Sequence, residues 1–216
     1  MQKKDDIVKI YDDMFNLIGA EKWSVVHARG LLHQVVHLWM YGDEPDGRWL
    51  YFIQRSKDLD VFPGLYDLPD LPVSGHIDPE ETFSHAVVTL TRERLGLKLL
   101  PEYLKHVGNI RQIVDSGNYH DNAFCQIYVK RLRLPIPEFE IQGAEMLFKT
   151  RYDEFCQWVE YPKGKLPIYT PTGEFIKDSV EADWWWPRKN EFIKADYSSS
   201  FATAPIRYPC PQTVSI

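Results

Sequence analysis

The chain has 216 residues, 44% of them hydrophobic, and a formal net charge of −6 with a sequence pI near 5.6. This length and composition fit one large globular domain or two small ones with a sizeable core. The acidic balance argues against a binder of nucleic acid polymers, which needs a basic surface, and the sequence has neither a long apolar run nor a signal-peptide pattern. We therefore expect a cytoplasmic protein that does not contact the membrane.

The first segment, residues 1–20, is predicted to form a helical appendage. Apolar residues between Asp5 and Ile18 recur at three- and four-residue steps, with the aspartates largely on the opposite side, which is typical of an amphipathic helix. Two short strands are predicted to follow, at Trp23–His27 and Arg29–His33.

A long hairpin is predicted next. Gln34–Tyr41 has the apolar density of a central strand, Gly42–Gly47 reads as a turn, and Trp49–Arg55 as the returning strand. His33 and His37 face the same side of the first strand. Their Cβ atoms would lie about 13 Å apart by strand rise, too far to share an ion without other ligands, so we interpret them as core or near-hairpin histidines.

The stretch from Gly75 to Leu97 is predicted to form a loop, a helix and a second loop. Asp78-Pro79 combines an N-cap residue with proline at the first helical position. Apolar residues at three- and four-residue steps give the helix a core-facing side as far as Leu95, and Gly96 suits a left-handed C-cap.

This stretch resembles the Nudix box, the phosphate- and metal-handling motif of the Nudix hydrolases. It aligns without a gap on the motif positions Gly75, Glu81, Glu93, Gly96 and Leu97. In the family, three carboxylates at spacing i, i+3 and i+4 on one helix face hold divalent cations. Those three positions here are Leu90, Glu93 and Arg94, so only Glu93 is a carboxylate. We expect Leu90 to pack or to cover the metal position, and Arg94 to project toward it.

The flanking segments resemble the larger Nudix proteins related to isopentenyl-diphosphate isomerase. The matching segments are His33–Trp39, Gln54–Ser56 and Pro63–Asp67. The resemblance implies an α/β (α+β) Nudix fold, a mixed β-sheet sandwiched between helices, forming a single domain over residues 21–190.

Downstream of the box, strands are predicted at Tyr103–Ile113 and Ala123–Val129, with Asp115–Asn122 as a polar loop between them. A further strand is predicted within Gln142–Lys149, and a helix over Arg151–Val159.

Three consecutive tryptophans, Trp184 to Trp186, precede a C-terminal extension at residues 191–216. They either clamp the C-terminal segment to the sheet or leave one ring exposed to stack on a base or cover a partner.

The resemblance also implies a set of site residues. Glu93 would be the metal ligand and a catalytic residue, and Glu81 would orient the loop and the box helix. Glu145 would be a supplementary ligand or base, with Glu140 close enough to compete for that role.

Candidate substrate-binding residues are Arg55, Arg92, Arg94, Tyr66 and Trp39. Arg55 would hold a phosphate oxygen, unless it forms a surface salt bridge. Arg92 and Arg94 could contact phosphate directly if no metal binds.

Two functions remain open. The first is a Mg²⁺- or Mn²⁺-dependent pyrophosphohydrolase of nucleoside diphosphates linked to another group, with weakened or lost catalysis. The alternative is a non-catalytic Nudix module, without a metal, that binds a phosphorylated or nucleotide-like ligand or a protein partner. An allylic diphosphate isomerase is less favoured, because the strand region before the box lacks a cysteine and its glutamate partner. A homodimer is compatible with either function.

Overall fold

The computed structural model describes residues 6–69, 73–74, 83–95, 97–133, 144–161 and 165–177. The strands of this part of the chain are, in order, β1 (Ile7–Tyr11), β2 (Leu17–Lys22), β3 (His33–Glu44), β4 (Gly47–Arg55), β5 (Tyr66–Asp67), β6 (Val73–Ser74), β7 (Lys105–Ser116), β8 (Tyr119–Arg131), β9 (Ala144–Arg151), β10 (Ile168–Tyr169) and β11 (Phe175–Lys177). The helices are α1 (Trp23–Arg29), α2 (Phe83–Leu95) and α3 (Tyr152–Glu160), with a 3₁₀ turn at Pro101–Tyr103.

The predicted α+β class is confirmed by this combination of a sheet with few helices. The chain forms two compact units. Of the described residues, the first unit takes 6–38, 73–74, 83–95 and 97–128, and the second takes 39–69, 129–133, 144–161 and 165–177. The predicted single-domain span of residues 21–190 stays a prediction, as does the C-terminal extension, which lies outside the described residues together with Trp184–Trp186.

The predicted N-terminal helix is wrong, because this segment is a β-hairpin in the first unit. β1 and β2 pair antiparallel from Ile7 opposite Lys22 to Tyr11 opposite Leu17. The turn between them is held by Asp12, whose carboxylate accepts hydrogen bonds from the backbone N–H groups of Met14 and Asn16 at 2.9 and 2.8 Å. An aspartate that captures nearby amides favours a turn over a helix, and the apolar spacing alone could not reveal this competition.

The predicted strands at Trp23–His27 and Arg29–His33 are also wrong up to residue 32. Residues 23–29 form α1, and Gly30 ends it in the left-handed conformation at φ 61°, with its N–H bonded to the carbonyl of Val26. The β-branched residues Val25 and Val26 favour a strand. Gly30 instead favours a helix that ends at this position, because glycine readily adopts the left-handed conformation of a helix C-cap.

Strands β7 and β8 are longer than predicted. Most of the segment Asp115–Asn122, expected to be a loop, belongs to the two strands, which stop at Ser116 and resume at Tyr119. The extension matters for chemistry, because it places residues 119–122 on a strand of the first unit.

The second unit contains the predicted β-hairpin and the predicted helix near residue 151. β3 and β4 pair antiparallel from Tyr41 opposite Leu50 to Glu44 opposite Gly47, which leaves a two-residue turn. β4 then pairs along most of its length with β9, and α3 follows β9 directly.

The core of the second unit is aromatic. The Phe52 ring lies 5.9 Å from Trp39, 5.8 Å from Phe148 and 5.1 Å from Phe155 between ring centroids, all within the usual range for paired rings. Phe155 belongs to the buried side of α3, so the helix is anchored through this cluster. Among the described residues, no helix has both the length and the apolar character needed to cross a bilayer.

Candidate functional site

The box helix is present as α2, in the first unit. Ala86, Val87 and Thr91 are buried, and the Thr91 hydroxyl donates to the carbonyl of Val87 at 2.6 Å. Arg92 is exposed, as a residue that meets a ligand must be. Gly75, Glu81 and Glu140 lie outside the described residues.

The side chains of Leu90, Glu93 and Arg94 also lie outside the description, so the expected orientations of Leu90 and Arg94 stay predictions. The backbone at these three positions is helical, which puts them at the i, i+3 and i+4 spacing of one helix face. That face therefore carries one carboxylate, one apolar side chain and one cation.

Arg55 is held inside the second unit at 7% exposure. Its Nη1 donates to Asp67 Oδ2 at 2.8 Å, its Nη2 to the carbonyl of Val61 at 2.8 Å, and its Nε to the carbonyl of Phe62 at 3.1 Å. The three guanidinium nitrogens thus tie the end of β4 to the loop that follows it and to β5. This is neither the surface salt bridge nor the free phosphate-binding cation that the sequence offered.

Glu145 is exposed at the start of β9 in the second unit. Its Oε1 accepts hydrogen bonds from the Ser56 hydroxyl and from the backbone N–H of Lys57, both at 3.1 Å. The Lys57 and Ser56 hydrogen bonds lower the pKa of this carboxyl below its ordinary value. A low pKa disfavours a general base near neutral pH, so the contacts indicate a carboxylate that fixes the turn after β4.

Tyr66 and Trp39, both predicted to bind substrate, are core residues of the second unit. Their exposed fractions are 0% and 1%, and Tyr66 packs edge-on against Phe148 with ring centroids 4.9 Å apart. The structure accounts for both side chains by packing.

A buried cluster in the first unit joins His27 on α1, His33 at the start of β3 and Asp121 on β8. Nε2 of His27 lies 3.5 Å from Asp121 Oδ1, and Nε2 of His33 lies 3.4 Å from the same oxygen. The three residues are 3%, 1% and 7% exposed. Two imidazole nitrogens and a carboxylate oxygen therefore meet at one point that water barely reaches.

Each imidazole of this cluster is oriented by its other nitrogen. Nδ1 of His27 lies 2.9 Å from the carbonyl of Trp23, and Nδ1 of His33 lies 3.0 Å from the carbonyl of Leu31. A carbonyl oxygen accepts only, so each Nδ1 carries a proton. In a neutral ring the Nε2 then turns a lone pair toward Asp121, whereas a protonated ring would donate from Nε2 as well.

For both His33 and Asp121, burial and the charge of the other group shift the pKa in opposite directions. Burial lowers the pKa of His33, against a smaller raising effect of Asp121. Burial raises the pKa of Asp121, but the hydrogen bond that a protonated His27 would donate and the charges of protonated histidines nearby, His37 among them, more than offset this and lower the pKa overall. Asp121 is thus an anion at neutral pH.

Sequence reasoning did not find this cluster. His33 was considered only with His37, because His27 fell in a predicted strand and Asp121 in a predicted loop. The sequence did offer one signal, which is that His27 and His33 lie on either side of Gly30. A glycine that ends a helix lets the chain turn, so the end of α1 and the start of β3 can lie close together.

The chain is similar in sequence to two named relatives. It is 28% identical over 159 residues to an uncharacterised Nudix hydrolase of Clostridium acetobutylicum, a match that covers 73% of this chain and 75% of the relative. It is 31% identical over 134 residues to an isopentenyl-diphosphate Delta-isomerase of Cutibacterium acnes, covering 61% of this chain and 64% of the relative. No protein-family model matches the chain.

The fold has a counterpart among solved structures. A MutT/nudix family protein from Enterococcus faecalis superposes with a TM-score of 0.50 at 14% identity, over 78% of this chain and 62% of that one. At this identity the match supports the fold alone.

Proposed function

Because this chain belongs to the Nudix superfamily, we propose that it binds a small molecule containing a diphosphate, such as a nucleoside diphosphate linked to another group, and that its pyrophosphohydrolysis is weakened. The observation that carries this proposal is the composition of one face of α2. Residues 90, 93 and 94 share that face, and Glu93 is the sole carboxylate among them.

The residues at the box do not fit the Mg²⁺ or Mn²⁺ that the superfamily implies. These hard cations need several oxygen ligands. Leucine at position 90 has no ligand atom, and the cation of Arg94 would repel a metal ion. We therefore derive no metal-dependent step at this helix.

The proposed ligand contacts come from cations instead. Arg92 is exposed on α2, and a guanidinium can donate two parallel hydrogen bonds to a phosphate. Arg55 is excluded from this role in the proposal, since its nitrogens are bonded within the second unit.

The test restores carboxylates at the two box positions that lack them, residues 90 and 94. The wild type, Glu93→Gln and a Leu90→Glu/Arg94→Glu double variant are assayed with Mg²⁺ or Mn²⁺ on dinucleoside, sugar-nucleotide and thiamine-type diphosphates. We expect turnover to be low in the wild type and to rise by about two orders of magnitude in the double variant, the usual effect of a catalytic group. His85→Glu is the matched control, because it adds a carboxylate at an exposed position of the same helix outside the three ligand positions.

Binding is measured separately, by thermal shift with the same compounds and with isopentenyl diphosphate, without added metal. Stabilisation of the wild type by one of them, lost in Arg92→Ala, supports the proposal. Fast turnover by the wild type that disappears in Glu93→Gln would show instead that one box carboxylate suffices. If no compound stabilises the protein and none is hydrolysed, the proposed ligand class is wrong.

A further inference from the structure

We propose that His27, His33 and Asp121 form a binding site for a divalent transition metal ion, with Zn²⁺ as the expected occupant. This site is separate from the box residues and does not depend on the proposed function. It would join α1, β3 and β8 within the first unit.

The first argument is the excess of acceptors at the centre of the cluster. Both Nδ1 atoms face carbonyl oxygens, so when both rings are neutral the two Nε2 atoms and Asp121 Oδ1 all present lone pairs to the same point. Among the described residues, Nε2 of His33 makes no hydrogen bond, although this side chain is 1% exposed. A buried acceptor without a donor is costly, and a cation at the centre would satisfy all three atoms at once.

The second argument is distance. Zn²⁺ binds imidazole nitrogen and carboxylate oxygen at about 2.0–2.2 Å, so two ligands at a tetrahedral angle lie about 3.3–3.6 Å apart. The two measured Nε2–Oδ1 separations, 3.5 and 3.4 Å, fall in this interval. The three ligand atoms all lie within 4.8 Å of one another, close enough for one ion to contact all three.

The third argument is that the ligands are held in place before any metal arrives. His27 packs against two aromatic rings, with centroids 4.2 Å from Trp23 and 4.6 Å from Tyr119. Asn122 donates to the carbonyl of Gly30 at 3.1 Å, which fastens the end of α1 to β8 beside Asp121. Histidines that bind a metal commonly donate their other N–H to a carbonyl, as both do here.

The choice of metal follows from the ligand atoms. Imidazole suits Zn²⁺ and its transition-metal neighbours, whereas Mg²⁺ and Ca²⁺ prefer oxygen. Three protein ligands leave a fourth position for water or a further side chain. The alternative occupant is a proton, which would make one imidazole a buried imidazolium paired with Asp121.

The experiment uses the full chain without a histidine tag. Metal content is measured by mass spectrometry after expression in medium supplemented with Zn²⁺. The melting temperature is then followed after dialysis against a chelator and after adding back Zn²⁺, Mn²⁺, Co²⁺ or Mg²⁺. We expect about one ion per chain, and a rise on the order of 5–10 °C when free Zn²⁺ is about 100 times its Kd.

Three variants and two controls locate the site. His27→Gln, His33→Gln and Asp121→Asn should each weaken Zn²⁺ affinity by more than about 100-fold, since loss of an outer partner alone costs 10- to 100-fold. His106→Gln and Asp115→Asn, which alter an exposed histidine and an exposed aspartate of β7, should leave affinity unchanged. Substitution by Co²⁺ gives a visible absorption band that reports the ligands directly.

If a ligand variant does not fold, the wild-type titration still decides the matter. A wild type that binds none of the four ions and does not change its melting temperature would overturn the metal assignment. Zn²⁺ binding that survives His33→Gln and Asp121→Asn but is lost in His106→Gln would place the ion on the surface. Stabilisation by Mg²⁺ alone would also overturn the assignment, because it would indicate an oxygen site.

Discussion

Replacing Arg55 by methionine should destabilise the second unit strongly. The change keeps the length of the side chain but removes three nitrogens that bond to Asp67, Val61 and Phe62. It leaves the Asp67 carboxylate at 2% exposure without its guanidinium, although Asp67 keeps the hydrogen bond from the backbone N–H of Leu68.

The size of the effect follows from burial. Removing one partner of a buried ion pair typically costs about 3–5 kcal/mol, because an uncompensated charge stays inside. For a chain of this length, that corresponds to a drop in melting temperature on the order of 10 °C. An exposed pair behaves differently. Arg111 and Asp13 lie 2.9 Å apart with side chains 41% and 83% exposed, so Arg111→Met should cost less than about 1 kcal/mol.

The assay is urea unfolding at 25 °C of the wild type, both single variants and the double variant Arg55→Met/Asp67→Leu. Replacing both members of a buried pair by apolar residues is often close to neutral, so the double variant should be more stable than Arg55→Met. The reasoning is refuted if Arg55→Met unfolds within 1 kcal/mol of Arg111→Met. Arg55 would then be a cation available to hold a phosphate oxygen, which is the role that the resemblance implied.

Three further changes test other parts of the fold by the same unfolding measurement. Gly30→Ala should cost about 1–2 kcal/mol, because φ is 61° there; no loss would contradict the left-handed C-cap. Phe155→Ala should cost about 3–5 kcal/mol by opening a cavity in the aromatic core, and a loss below 1 kcal/mol would place α3 elsewhere. Burial, with Asp153 nearby, raises the pKa of Glu154. Its charge therefore opposes folding at neutral pH, and Glu154→Gln should stabilise the protein at pH 7.5 by only about a few tenths of a kcal/mol, because solvent screens this partly exposed group. That gain should fade as the pH falls through the raised pKa toward 4.5, where the folded carboxyl is already protonated; a gain independent of pH would exclude this cause.

The elements predicted well are those whose signals are redundant. The β3–β4 hairpin combined two apolar runs with a turn sequence between them, and α3 combined a buried stripe with acidic residues in its first turn. The box helix was marked by its apolar pattern and by predicted caps at Asp78-Pro79 and Gly96, which lie outside the described residues. In each case, several local preferences agree with the tertiary packing, which is the condition under which sequence reasoning succeeds.

The secondary structure was wrongly predicted where a single sequence pattern had to decide between a helix and a strand. Ile7, Ile10 and Leu17 recur at helical spacing, but they sit equally well on a two-stranded hairpin once Asp12 closes the turn. Trp23 to His27 carries two valines, and the capping interaction of Gly30 outweighed them. A seven-residue helix has little stability of its own, so packing rather than propensity fixes it.

The candidate site was predictable only where the motif itself carries the chemistry. The box positions could be aligned by spacing alone, and so could the replacements Leu90 and Arg94. The environment of Arg55 could not be predicted in this way. Its partners Val61, Phe62 and Asp67 belong to a loop and a short strand whose path depends on packing. A cation at the end of a strand can donate its hydrogen bonds to nearby backbone carbonyls instead of to a phosphate, and the sequence does not distinguish these two outcomes.

The box helix and the proposed histidine cluster favour different metal ions, and this decides which assay tests which of them. The box helix offers one carboxylate beside a leucine and an arginine, which suits neither Mg²⁺ nor Mn²⁺. The proposed cluster offers two imidazole nitrogens and one carboxylate oxygen, a set for which Zn²⁺ and Co²⁺ outcompete Mg²⁺. An assay that supplies only Mg²⁺ therefore tests the box and leaves the cluster empty. Inactivity in such an assay would be evidence about Glu93 and its neighbours, and it would say nothing about His27, His33 and Asp121.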